Sequence, residues 1–179
     1  VTTMCCPSYE KKTFTTYISA INIVVYLLTV IIAIINGTLS GFAEIGGDTL
    51  LDSGALFYYN ICQKHQYYRM LTPIFLHANL MHLLFNVLFT MRFGYDMEKV
   101  LGLNKFIGLY FIGGLFGSWF SGWFSITSLS VGASGALMGI LGFNCIYLFL
   151  KYNELPNAKM QAVNLGVVVL LNFIFTIGS

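Results

Sequence analysis

Five apolar runs, each near the length that crosses a bilayer, constrain this chain more than any other feature. They are roughly Thr16–Ile35, Leu71–Met91, Phe106–Phe124, Ala133–Leu150 and Ala162–Ile177. Spanning about 30 Å of hydrocarbon takes about 20 mainly apolar residues in an α-helix. The second run is interrupted by His77, Asn79, His82 and Asn86, and the fourth opens on the small residues Val131-Gly132-Ala133-Ser134-Gly135. Composition agrees: of 179 residues, 57% are hydrophobic and only 9% charged, with a mean hydropathy of +0.77. Soluble domains carry about 25% charged residues. A chain this apolar cannot cover a water-facing surface, so the bilayer is its expected solvent. The net charge is +2 with no basic run, and nucleic acid is not an expected partner.

Lysines and arginines in the short loops set the expected orientation. Lys11, Lys12, Arg92, Lys99, Lys105, Lys151 and Lys159 fall on one side, whereas only Lys64 and Arg69 fall on the other. The N-terminus is therefore expected in the cytosol, with Ser179 on the outer side. The segment Asn36–Tyr68 is long for a connection, and its mixed aromatic and polar residues suit a piece lying in the membrane interface. A cytosolic tail over residues 1–15 and one membrane domain over 16–179 complete the expected organisation.

The four cysteines show no metal or disulfide spacing, and no metal or organic cofactor is expected. Cys145 lies in an apolar run as a packing residue. Cys5 and Cys6 are either unmodified thiols on the tail or palmitoylation sites.

Polar groups placed in hydrocarbon are costly and tend to face an interior or a water-filled cavity. The densest set is His77, His82 and Asn86 in the second run, with Ser134 at the head of the fourth. His82 and Asn86 are four apart and share a helix face, where their N–H donors can converge on one acceptor. Taken alone, such a pair is more often an interhelical hydrogen-bond device. His77 reads as a structural histidine near the interface. Gly132-Ala133-Ser134-Gly135, followed by Gly139 and Gly142, is by itself a common device for close helix packing. A soluble nucleophile elbow would need glycine where Ala136 stands. Topology favours chemistry: the second and fourth runs both start at the outer face, and a serine at a helix N-terminus sits beside unpaired amides able to hold an oxyanion.

At these residues the sequence resembles a known family. The stretch from Tyr68-Arg69 through His77, His82 and Asn86 looks like the signature of the second core helix of rhomboid intramembrane serine proteases. Gly94, Glu98 and Gly102 match that family's G-xxx-E-xxx-G pattern, and Gly132-Ala133-Ser134-Gly135 resembles its nucleophile segment. The resemblance implies an all-α, polytopic transmembrane helix bundle with five of six or more core helices present and a long interfacial first loop. It implies Ser134 as nucleophile, and His82 and Asn86 in an oxyanion hole with the Ser134 amide. Arg69 and Glu98 would be structural residues holding the first loop and the helix end, and the substrates would be transmembrane proteins. Tyr68 stands where the family often has tryptophan.

The family's general base is a histidine on a sixth core helix, which these 179 residues do not supply: the histidines are His65, His77 and His82. The start at Val1 and the end at Ser179 read as those of a partial sequence, and the chain by itself is expected to be inactive. The competing function is an inactive rhomboid-like protein that binds or traffics membrane proteins. A transporter would place charges inside the spans, where this sequence has almost none. The membrane is open among plasma and secretory membranes, which are favoured over a mitochondrial one.

Overall fold

The computed structural model describes residues 13–124 and 127–178. Cys5, Cys6, Lys11, Lys12 and Ser179, on which the palmitoylation expectation and part of the orientation rest, lie outside the described residues. The fold is all-α apart from a two-residue hairpin. In chain order it comprises α1 (Phe14–Ile35), β1 (Leu39–Ser40), β2 (Glu44–Ile45), α2 (Gly47–Asp52) and α3 (Tyr58–Lys64). Then come 3-10 turns at Tyr67–Met70 and Thr72–Phe75, α4 (Leu80–Phe89), a π segment (Thr90–Gly94) and α5 (Tyr95–Leu101). The long helices α6 (Leu103–Phe124), α7 (Ser134–Lys151) and α8 (Ala158–Gly178) follow.

Helix α1 is built the reverse of a water-soluble helix. Thr15, Ser19, Asn22, Tyr26 and Thr29, spaced three or four apart, are buried, whereas Val24, Leu27, Leu28, Ile31 and Ile35 are exposed. Helices of soluble proteins turn such an apolar stripe inward. Here the outward face suits hydrocarbon and the polar face meets the bundle. Its first turn is capped twice. The Thr13 hydroxyl accepts from Thr16 N–H, and the Glu98 carboxylate accepts from the Phe14 and Thr15 amides at 2.8 and 2.9 Å and from the Thr15 hydroxyl at 2.7 Å.

The run Leu71–Met91 is not one helix. Pro73 sits in a 3-10 turn, Leu76 is extended, and α4 begins only at Leu80, where the Asn79 side chain caps it by accepting from the His82 amide at 2.8 Å. The helical path then continues through the π segment into α5 and ends at Gly102, whose φ of +77° favours glycine. Gly94 has little room for a side chain: a Cβ there would lie 3.2–3.3 Å from Phe106 and Thr15.

Among the described residues two helices, α1 and α7, are both long and apolar enough to cross a membrane by length and composition. Helix α6 matches α1 in length at 22 residues, but its glycines, serines and tryptophans lower its apolarity. Those glycines do structural work. A Cβ on Gly117 would lie 2.6 Å from the Gly135 Cα, and one on Gly139 would lie 3.1 Å from the Gly113 Cα. The two backbones thus meet along a glycine seam, the close approach small residues permit in membranes. Gly142, by contrast, has open space around it. Because both sides of the seam are backbone, Gly117→Ala is expected to destabilise by about 2 kcal/mol, read as a lowered unfolding midpoint in detergent.

Candidate active site

Ser134 is the first residue of α7, and it is exposed. Among the described residues no side chain caps this helix, whose N-cap is Ala133. The first intrahelical bond is Leu137 N–H to Ala133 O at 3.0 Å. The amides of Ala133 through Ala136 therefore precede the helical ladder, clustered at its positive end. The approach to Ser134 is held by backbone bonds. Leu56 and Ser130 exchange N–H···O bonds at 2.9 and 3.1 Å, and Gly132 N–H donates to Pro73 O at 2.8 Å. Gly132 has φ of +118°, a region L side chains rarely adopt.

His82 reaches this segment. A Cβ on Gly132 would lie 2.7 Å from both Cε1 and Nε2 of the His82 ring. The imidazole edge thus rests against the backbone two residues before Ser134, and only glycine leaves it that space. Asn86 lies one turn further along α4 and is buried. Its Nδ2 donates to the His82 carbonyl at 2.8 Å, while its Oδ1 is buried without a hydrogen-bond partner among the described residues. The Thr90 hydroxyl, in the π segment, donates to the Asn86 carbonyl at 2.8 Å. One N–H of Asn86 is thereby committed to its own helix, and the other is left for a second acceptor.

His77 is fully buried. Its ring centroid lies 5.3 Å from that of His82 at 67°, an edge-to-face contact, and neither ring nitrogen has a partner among the described residues. It backs the His82 ring. Arg69 and Glu98 stand apart from Ser134. Arg69 is buried and donates through Nη1 to the carbonyls of Leu51 and Ala55 and through Nε to Gln66 Oε1. Glu98 holds the start of α1 as described above, and Gly135 forms the seam with Gly117.

A cleft of about 690 Å³ opens beside Ser134, floored by Gly135, Met138 and Gly139 of α7. Gly113, Gly114 and Gly117 of α6 wall one side, and Val169 of α8 reaches the other. His82 and Asn86 are not among its lining residues. Among the described residues no three His, Cys, Asp or Glu side chains converge as a metal site.

The Gly132 contact, the Asn79 cap and the Gly113–Gly117 half of the seam go beyond the site residues expected from sequence. The cap has a sequence signal, an asparagine three residues before His82. The seam has one too, the four-residue glycine spacing in α6. The Gly132 contact is long-range and has none.

Residues 64–179 match the family model described as Rhomboid domain. Rhomboid-like protease 1 of Toxoplasma gondii is 31% identical over 166 residues, covering 92% of this chain and 55% of that protein. Rhomboid protease GluP of Bacillus subtilis is 34% identical over 168 residues, covering 94% and 30%. RHOMBOID-like protein 6, mitochondrial, of Arabidopsis thaliana is 38% identical over 94 residues, covering 52% and 31%. The chain thus spans 30% to 55% of the length of these relatives.

Proposed function

The chain belongs to the rhomboid family, and on that premise we propose that it is the core of an intramembrane serine endopeptidase acting on transmembrane proteins, with Ser134 as nucleophile. The observation that carries this reading is the His82 ring set against Gly132 beside the uncapped start of α7. In the proposed reaction the Ser134 Oγ adds to the scissile carbonyl as its proton passes to a base. The oxyanion is held by the Ser134 amide and by N–H groups of His82 and Asn86, each well-aimed donor contributing on the order of 3 kcal/mol. Collapse expels the amine with that proton, and water then hydrolyses the acyl-enzyme.

The base is proposed to be a histidine outside these 179 residues. His65 caps the end of α3, His77 is enclosed behind His82, and His82 is assigned as a donor. The glycine-floored cleft beside Ser134 supports this, because a helix seated between α6 and α8 could approach closely and reach the serine. The wider proposal is a polytopic bundle in which α1, the α4–α5 path, α6, α7 and α8 cross the bilayer. The inverted amphipathy of α1 is its strongest support. The cytosolic N-terminus is proposed on the loop charges, with Arg92, Lys99, Lys105, Lys151 and Lys159 on one side against Lys64 and Arg69 on the other.

The test is covalent labelling of the full-length protein in lipid vesicles by a fluorophosphonate, with mass spectrometry of the adduct. Modification at Ser134 is expected. A protein that is folded yet unlabelled there, and that cleaves no transmembrane reporter, would instead be an inactive rhomboid-like binding or trafficking protein.

A further inference from the structure

The backbone leading into Ser134 is held from the loop side, and Tyr58 ties that loop to α6. Tyr58 opens α3, and its hydroxyl donates to the α6 carbonyls of Ser118 at 2.8 Å and Trp119 at 2.9 Å. Its ring fills the space over Gly122, where a Cβ would overlap the ring atoms. Burial raises the Tyr58 phenol above its ordinary pKa, so it stays a neutral donor. Two residues earlier, Leu56 exchanges both backbone bonds with Ser130, and two residues after Ser130 lies Gly132, bonded to Pro73 and touching His82. The path from α6 to the nucleophile segment is therefore continuous: Tyr58, Leu56, Ser130, Gly132.

We infer that Tyr58 and Gly122 form a clamp that fixes the first loop on α6 and, through Leu56, sets the position of the Ser134 segment against His82. Tyr58 touches none of the reacting atoms; it is a positioning residue for the reaction proposed above, and the inference rests on Ser134 being the nucleophile. A displacement of about 1 Å at an oxyanion donor can lower a rate about 10²-fold. A clamp of this kind therefore bears on turnover more than on substrate binding.

The test uses the full-length protein in lipid vesicles with a transmembrane reporter, reading kcat and KM separately. Tyr58→Phe keeps the ring and removes both hydroxyl bonds; Gly122→Ala displaces the ring. Each is expected to lower kcat about tenfold, a fraction of the effect of a full displacement, with KM near wild type. The unfolding midpoint is expected near wild type in Tyr58→Phe and lowered in Gly122→Ala, whose Cβ would overlap the ring. The double variant is expected to be no slower than the slower single variant, because both changes break one contact. Wild-type kcat in Tyr58→Phe, a double loss equal to the product of the single losses, or a lowered midpoint with unchanged kcat would overturn the clamp. Wild-type protein that neither cleaves the reporter nor takes the fluorophosphonate overturns the nucleophile reading, and the clamp with it. That outcome is distinct, because the wild type already fails.

Discussion

Replacing Ser134 by alanine in the full-length protein is expected to cut cleavage of a transmembrane reporter by about 10⁵-fold or more, to the assay floor, while leaving the unfolding midpoint unchanged. The two halves of this expectation have different causes. The activity loss follows from removing the only atom proposed to attack the carbonyl. The amides and the His82 ring left behind still favour an oxyanion but have no nucleophile to create one. The unchanged midpoint follows from what Ser134 does in the fold. It is exposed, it opens α7 rather than capping it, and the adjoining backbone is held through Gly132, Ser130 and Leu137 instead. Surface substitutions away from packing features usually change stability by less than about 0.5 kcal/mol. Side-by-side cleavage and detergent unfolding of the two proteins check both halves. Residual cleavage within tenfold of wild type would require another nucleophile.

The long helices were legible because, in a chain this apolar, the length of a hydrophobic run and the length of a helix coincide. The run from Thr16 to Ile35 became α1 from Phe14 to Ile35, and the run from Ala133 to Leu150 became α7 from Ser134 to Lys151. The second run failed for a local reason that hydropathy averages away. Pro73 and the Asn79 cap delay the helix to Leu80, and the π segment carries it beyond Met91. The polar face of α1 was equally present in the sequence, as Thr15, Ser19, Asn22, Tyr26 and Thr29. A chain sought for apolar length alone does not reveal it.

At the candidate site, spacing located the right turns of helix but not the contacts. His82 and Asn86 do share α4, yet Asn86 spends one N–H on the His82 carbonyl, which a four-residue spacing cannot announce. The neighbour that defines the position of the His82 ring, Gly132, lies fifty residues away in sequence, and neither the small-residue pattern nor the likeness to a nucleophile segment pairs it with His82. In sequence, packing and chemistry are alternative reasons for the glycines around Ser134. In the fold they divide the work: Gly135 and Gly139 meet α6, and Gly132 makes room for His82.

Arg69→Ala is expected to destabilise the full-length protein by about 4 kcal/mol, a larger stability effect than any other substitution considered. Arg69 is only 5% exposed, yet its guanidinium serves three acceptors: Leu51 O at 2.6 Å, Ala55 O at 3.0 Å and Gln66 Oε1 at 2.6 Å. Leu51 lies in the last turn of α2, where its carbonyl also accepts from the Gly54 amide at 3.1 Å. Alanine would leave the buried Ala55 carbonyl desolvated and unmet, at about 1–3 kcal/mol, and would also remove the charged bonds to Leu51 and Gln66 and the buried packing of the guanidinium. Ala55 adjoins Leu56, so the loop's hold on Ser130 depends on the same side chain. The ring of Tyr68 lies 5.3 Å from the Arg69 guanidinium carbon, a cation–π contact that adds to this hold. Arg69→Lys is expected to recover about half the loss, because an ammonium keeps the charge but cannot fork toward three acceptors. Detergent unfolding measures the stability, and tryptic cleavage after Lys64 reports the loop, expected to accelerate in the same order. An Arg69→Ala protein with wild-type unfolding and wild-type cleavage at Lys64 would show that other contacts hold the loop.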